Sequence, residues 1–194
     1  VANAPVFEDQ AVMDFFQTAG RNLMAAEKAA GVKHHLALSV VGAERLPESG
    51  YMRAKLAQEA LISASGVPYT ILHSTQFFEF LTSIAQAGAA GQEIRVSPAM
   101  IQPIAASDAA RVLAELAMEP ARNAVVEVAG PEAGALDEFA RRRLAAAKDG
   151  RVVTADPHAR YFGAELTDAS LTPGANAVLG ATRFEDWLGQ ASAS

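Results

Sequence analysis

The strongest constraint on this chain is the way its hydrophobic period switches along the first third of the sequence. From Glu8 to Ala30 apolar residues recur at helical spacing, with Val12, Phe15, Phe16, Leu23, Met24 and Ala30 as candidate core contacts and Gly31 as a C-cap. A strand is predicted over 33–39, followed by a loop through Glu44, Pro47, Ser49 and Gly50. The next helix runs from about Tyr51 to Ala64, with Leu56, Ala60 and Leu61 turned inward and Gly66 at its end. Tyr69–Leu72, behind Pro68, is a short β-rich run that suits an incoming strand. Helix, strand, helix, strand at this spacing is what right-handed crossovers in a parallel sheet produce.

The remainder continues the alternation less regularly. A helix follows His73–Phe78 and runs to about Ala87, and residues 94–104 hold one or two short strands broken by Pro98 and Pro103. Ser107 and Asp108 are placed to cap a helix over Ala109–Met118, whose Val112, Leu113 and Leu116 face inward. Val125–Val128 reads as a strand ended by Gly130-Pro131, Leu136–Ala147 as a helix and Arg151–Thr154 as a last short strand. From Asp156 the chain is rich in loops. Thr182-Arg183-Phe184-Glu185 has the spacing of a capping box for a final helix carrying Trp187 and Leu188.

Composition narrows the classes. The 194 residues support one sizeable core, with half of them hydrophobic and a fifth charged. A net charge of −6 argues against a nucleic-acid surface, which is normally basic. The basic run Arg141-Arg142-Arg143 lies in a helical pattern and reads as a solvated face. Without cysteine there is no disulfide, no thiolate nucleophile and no cysteine-based zinc site. No apolar run reaches membrane-spanning length, so no membrane partner is expected and the cytoplasm is the default compartment. His34 and His35 alternate across a strand and cannot share a metal; His158 has no second ligand at a useful spacing; no metal site is expected.

The chemistry concentrates in Ser49-Gly50-Tyr51-Met52-Arg53-Ala54-Lys55. A tyrosine and a lysine four apart on a helix share a face, and a nearby ammonium favours phenolate, which lowers the tyrosine pKa towards the range useful for proton transfer. Ser39, twelve residues before Tyr51, sits at the C-terminal end of its strand, where open α/β sheets place their ligands. A serine there can hold a carbonyl oxygen while the tyrosine moves the proton. Arg160-Tyr161-Phe162-Gly163 is a candidate pocket lining, with packing of a terminal loop the equal alternative.

These segments resemble the short-chain dehydrogenase/reductase superfamily, and within it the NmrA-like group of atypical or extended members. The resemblance is carried by Leu36-Ala37-Leu38-Ser39-Val40-Val41-Gly42, Gly50-Tyr51-Met52-Arg53-Ala54-Lys55 and Ser65-Gly66-Val67-Pro68-Tyr69-Thr70-Ile71-Leu72. Gln76-Phe77-Phe78-Glu79-Phe80 and Gln102–Ala110 add to it. It implies a single Rossmann-type, doubly wound α/β domain over 1–194, with a small C-terminal substrate region interleaved from about 88 onward. It implies a catalytic set of Ser39, Tyr51 and Lys55: Tyr51 as acid/base, Lys55 holding the nicotinamide ribose and depressing the tyrosine pKa, Ser39 polarising the substrate carbonyl. His73, Thr75, Gln76 and Phe77 would lie along the nicotinamide, and Ala2 and Asn3 near the cofactor's sugars. The cofactor would be NADP or NAD, with NADP preferred. The reaction would be reduction of a small carbonyl or quinone-like molecule by a monomer or homodimer. The alternative class is a dinucleotide-binding redox sensor without turnover.

The sequence departs from that family at its start. Members open with a strand and a Gly-x-x-Gly-x-x-Gly turn whose helix N-terminus binds pyrophosphate. No such turn occurs here, and judged against the family the chain begins near the fourth strand, lacking about two βα units, roughly fifty to sixty residues. A chain of that kind reads as N-terminally truncated, which gives a third expectation, a fragment that does not bind cofactor. A second departure is His73, where relatives more often carry arginine.

Overall fold

The computed structural model describes residues 3–5 and 8–191. Its elements run α1 (Asp9–Ala30), β1 (His35–Val40), α2 (Gly50–Ala64), β2 (Tyr69–Ser74), α3 (Leu81–Ala87), β3 (Ala89–Ala90), β4 (Glu93–Val96) and β5 (Met100–Ile101). They continue with α4 (Ala106–Ala117), β6 (Ala124–Ala129), β7 (Gly134–Ala135), α5 (Leu136–Ala146), β8 (Val152–Ala155), β9 (Val178–Leu179) and α6 (Phe184–Ala191). Strands β1, β2, β6 and β9 lie in that order in one sheet, every pair parallel. In a second sheet β4 pairs β3 antiparallel and β8 parallel, and β5 pairs β7 in a short antiparallel ribbon.

Strand alternation decides which helix covers which face. Ala37 of β1 and Ile71 of β2 pack with Met24 of α1 and Ile62 of α2. On the opposite face Leu72 and Val128 pack with Ala109, Val112 and Leu116 of α4, and Leu36 and Leu38 lean on the same cluster. Helices therefore cover both faces of a parallel sheet. Along α1 the buried residues Val12, Phe16, Gly20 and Met24 come one turn apart, a stripe laid against α2. Gly31 closes α1 in the left-handed region at φ 66°, returning its N–H to the last turn. Gly42 ends β1 at φ 81°, and a Cβ there would lie 1.9 Å from the Ser170 carbonyl oxygen. Only glycine permits both the turn and that approach.

The C-terminal half has its own core. Phe78, Ile94, Ile101, Leu136, Phe139 and Phe184 belong to one cluster. Phe184 meets Phe78 and Phe139 with ring centroids 5.0 Å away in each case and stacks on Trp187 at 5.9 Å. Full burial of such a ring stabilises by about 1.5–3 kcal/mol.

Three local expectations are corrected. Asp108 does not cap its own helix: the N-cap of α4 is Ala105, and the Asp108 carboxylate accepts the Thr182 N–H at 2.8 Å, tying down the C-terminal segment. The first N–H of α4, at Ala106, is met instead by Glu79 at 3.1 Å, which also accepts the Trp187 indole N–H at 3.1 Å. Glu185 does not fold back as a capping box; it pairs with Arg142, while Glu132 accepts the Phe184 N–H at 3.0 Å. The triple arginine is not simply a solvated face. Arg142 lies 4.9 Å from the Phe184 ring centroid and Arg143 5.5 Å from that of Trp187, where guanidinium planes cover aromatic faces. No helix among the described residues is long and apolar enough to cross a membrane.

Candidate active site

A cavity of about 240 Å³ opens at the C-terminal ends of β1 and β2. Leu38, Ser39 and Val40 from the end of β1 form one side, and Tyr51, Met52 and Lys55 from the first turns of α2 another. Ser74, Thr75, Gln76 and Phe77 close it behind β2, with Asn3, Phe80, Tyr161 and Phe162 at the rim. The site residues expected from the sequence thus converge, with two exceptions. Ala2 lies outside the described residues, and His73 sits below the cavity within β2 rather than along it.

Tyr51 and Lys55 share the face that the four-residue spacing requires, but they do not act on each other as expected. The Lys55 ammonium donates to the Leu38 carbonyl at 2.9 Å and to Gln58 Oε1 at 2.6 Å, and lies 4.7 Å from the Phe16 ring centroid. Burial lowers its pKa to about 8, partly offset by the Glu59 charge one turn on. The Tyr51 phenol is raised, not lowered, because burial disfavours phenolate. Its hydroxyl makes a long 3.4 Å hydrogen bond to Asn3 Oδ1. In this arrangement burial keeps the Tyr51 phenol in its protonated form.

Ser39 is also engaged differently. Its hydroxyl donates to the Glu59 carboxylate, whose other oxygen lies 3.0 Å from His73 Nε2 on the neighbouring strand, at an angle well off a linear hydrogen bond. Ser39 and His73 are direct partners in the β1–β2 register, so one carboxylate from α2 reaches both. Burial alone would raise the Glu59 carboxyl; the contacts with His73 and Ser39 and the charge of Lys55 outweigh it and hold the group below the usual carboxylate range. Glu59 was missed in the sequence, although 51, 55 and 59 lie one turn apart and the signal was there.

The loop behind β2 supplies further polar groups. Thr75 is held by its N–H on the Val128 carbonyl at 3.0 Å, while its buried hydroxyl has no partner among the described residues. The buried Gln76 amide rests beside the Tyr161 phenol, too poorly aligned for a full hydrogen bond. Burial, together with nearby Tyr51, pushes the Tyr161 phenol well up, with Gln76 working the other way. Phe162, at φ 45°, is stacked on Phe80 with centroids 5.7 Å apart, so the terminal loop does wall the cavity. At about 240 Å³ the space is below the ~300–1,000 Å³ of pockets that enclose drug-sized ligands, so it suits one ring and its attached sugar rather than a whole dinucleotide. A buried ammonium and an unpartnered hydroxyl fit the nicotinamide-ribose end; the sequence contains no glycine-rich turn for the pyrophosphate.

Comparison with known proteins bears on this geometry. No curated protein matches the chain in sequence. Among solved structures, an NADPH-dependent quinone oxidoreductase from Escherichia coli superposes with a TM-score of 0.69 at 18% identity, over 95% of this chain and 80% of that one. A structure of the Escherichia coli NADPH-dependent quinone oxidoreductase complexed with NADPH gives 0.57 at 22% identity, over 77% of this chain and 59%, less than two thirds, of that one. A UDP-glucose 4-epimerase from Thermotoga maritima, with UDP-glucose, gives 0.73 at 15% identity, over 100% and 74%. These likenesses establish the fold, a Rossmann-like parallel α/β domain. Residues 4–120 match the family described as NAD(P)H-binding. That stretch carries β1, α2, β2 and most of the cavity wall, and the chain belongs to the NAD(P)H-binding family.

Proposed function

We propose that the protein is an NAD(P)H-dependent oxidoreductase that reduces a small carbonyl or quinone-like substrate, with NADPH the preferred cofactor. The observation that carries this reading is the convergence of Tyr51, Lys55 and Thr75 on one cavity in an NAD(P)H-binding domain. A bound nicotinamide supplies hydride. Lys55 would hold the ribose through the N–H left over from Leu38 and Gln58. Tyr51, kept protonated by burial, would give its proton to the substrate oxygen. The rim residues Tyr161 and Phe162, from the region beyond about residue 88, would shield the reacting face from water. The likeness to quinone reductase structures supports the substrate class by analogy of fold.

NADPH titration followed by nicotinamide fluorescence, with Lys55→Ala as control, tests cofactor binding. Turnover of a quinone or aldehyde by Tyr51→Phe tests the acid: we expect reduction to fall by at least ~100-fold while NADPH affinity stays within a few fold. A dinucleotide-binding regulator without turnover is the second reading, and the engagement of Ser39 by Glu59 favours it. Saturable NADPH binding with no reduction of any carbonyl or quinone would decide for it.

A further inference from the structure

Glu59 has no part in the hydride and proton positions just described, yet it is hydrogen-bonded to Ser39, which lines the site, and acts on Lys55 beside it. Ser39 donates to it, His73 lies 3.0 Å from it, and Lys55 precedes it by one turn. A serine hydroxyl has one proton and two lone pairs, and a carboxylate has no proton to give. In the Ser39–Glu59 contact the proton is therefore serine's. Ser39 is among the residues that line the cavity, and with its proton on Glu59 its hydroxyl has only lone pairs left to offer there. Lys55 is the opposite, a donor without acceptors, with two of its three N–H groups already on Leu38 and Gln58.

We propose that Glu59 is a positioning residue that fixes this polarity, an acceptor at Ser39 beside a donor at Lys55, so that the pair takes a ligand hydroxyl and rejects a carbonyl oxygen. A hydroxyl gives its proton to Ser39 and receives one from Lys55. A carbonyl oxygen against Ser39 would face lone pair to lone pair. The substrate oxygen is thereby left to Tyr51, and the Ser39–Lys55 notch holds a sugar hydroxyl of the dinucleotide. This rests on the reading of the cavity as the nicotinamide-ribose site. Among the described residues Glu59 is the charge that acts on Lys55; His73 of β2 meets Glu59, Tyr51 stands one turn before Lys55 with Tyr161 near it, α1 brings the Phe16 ring and β1 a peptide carbonyl.

Two measurements on the full chain test it. The first needs no turnover: Lys55 is titrated by NMR of ¹³Cε-labelled lysine in the wild type, Glu59→Gln and Glu59→Asp. The midpoint should fall in Glu59→Gln and return in Glu59→Asp; equal midpoints in all three overturn the coupling. The second is a double-mutant cycle of Ser39→Ala and Glu59→Gln read by NADPH fluorescence. Ser39→Ala should weaken NADPH about tenfold alone and add little in the Glu59→Gln background. Additive losses, or a Ser39→Ala loss confined to kcat, would mean that Ser39 serves the substrate oxygen and would overturn the assignment. A wild-type chain that binds no NADPH sinks the proposed function, while the lysine titration still decides the Glu59 coupling.

Discussion

Replacing Lys55 by methionine should change stability in a pH-dependent way, most in the variant's favour at pH 7 and progressively less as pH rises. Lys55 is 3% exposed, and burial holds its pKa at about 8 against an ordinary value of 10.5. Between those values the unfolded chain binds the proton and the folded chain does not, so stability rises with pH through that window. At pH 7 both forms are protonated, and the folded state carries the full penalty of the buried ammonium, about 3 kcal/mol. By pH 9.5 roughly 2 kcal/mol of it should be relieved. Methionine fills similar volume without charge but leaves the Leu38 carbonyl and Gln58 amide unpaired, an offset of about 1–3 kcal/mol that does not vary with pH. The diagnostic quantity is therefore the slope, not the intercept. Urea unfolding of both proteins from pH 7 to 9.5 gives the difference directly, because every other titrating group cancels. Curves that converge by about 2 kcal/mol match the buried charge; parallel curves would mean that Lys55 stays hydrated and would refute the reasoning.

Further perturbations follow from single contacts. Glu79→Ala removes both the acceptor at the start of α4 and the partner of the Trp187 indole, and should lower stability by about 1–2 kcal/mol in urea unfolding, with Trp187 fluorescence shifted in the native state. An unshifted spectrum would dissociate the indole from Glu79. Gly42→Ala places a Cβ against the Ser170 carbonyl in the left-handed region, and thermal unfolding should show a loss above about 2 kcal/mol. A neutral outcome would mean that the 42–170 contact is absent in solution.

Much of the chain's organisation is legible because it is local. The helical stripe of α1, the strand at β1 and the short β run before His73 follow from hydrophobic period and from Gly and Pro punctuation, and each matches an element within a few residues. The meeting of Ser39, Tyr51 and Lys55 follows from the crossover rule, which brings the end of one strand beside the start of the next helix. What was not legible depends on groups far apart in sequence. Glu79 serves the N-terminus of α4 and the indole of a helix more than a hundred residues on. Asp108 looks like a cap by position, but its carboxylate is drawn to an unpaired N–H at Thr182 that only the folded chain places there. Arg142 and Arg143 look solvated because no local rule puts the aromatic faces of α6 beneath them.

The inward face of α2 shows how stability and site chemistry divide along one helix. Positions 51, 55 and 59 face the sheet and cavity, where a helix built for stability alone would carry apolar side chains. Instead it presents a phenol, an ammonium and a carboxylate, and the apolar contacts fall to Met52, Ala54 and Ile62 beside them. Each charge is tolerable only because of the others' surroundings: the Leu38 carbonyl and Gln58 for Lys55, Ser39 and His73 for Glu59. The stripe is thus tied to β1 and β2, and loss of Lys55 or Glu59 leaves its partner there, the Leu38 carbonyl or the Ser39 hydroxyl, unpaired. An apolar stripe would pack against the same strands without that exposure to failure. Only Tyr51 and Lys55 of the three line the cavity; Glu59 lies deeper, on Ser39 and His73 of the sheet, so the polar stripe runs from the ligand side of the domain into the helix–sheet interface.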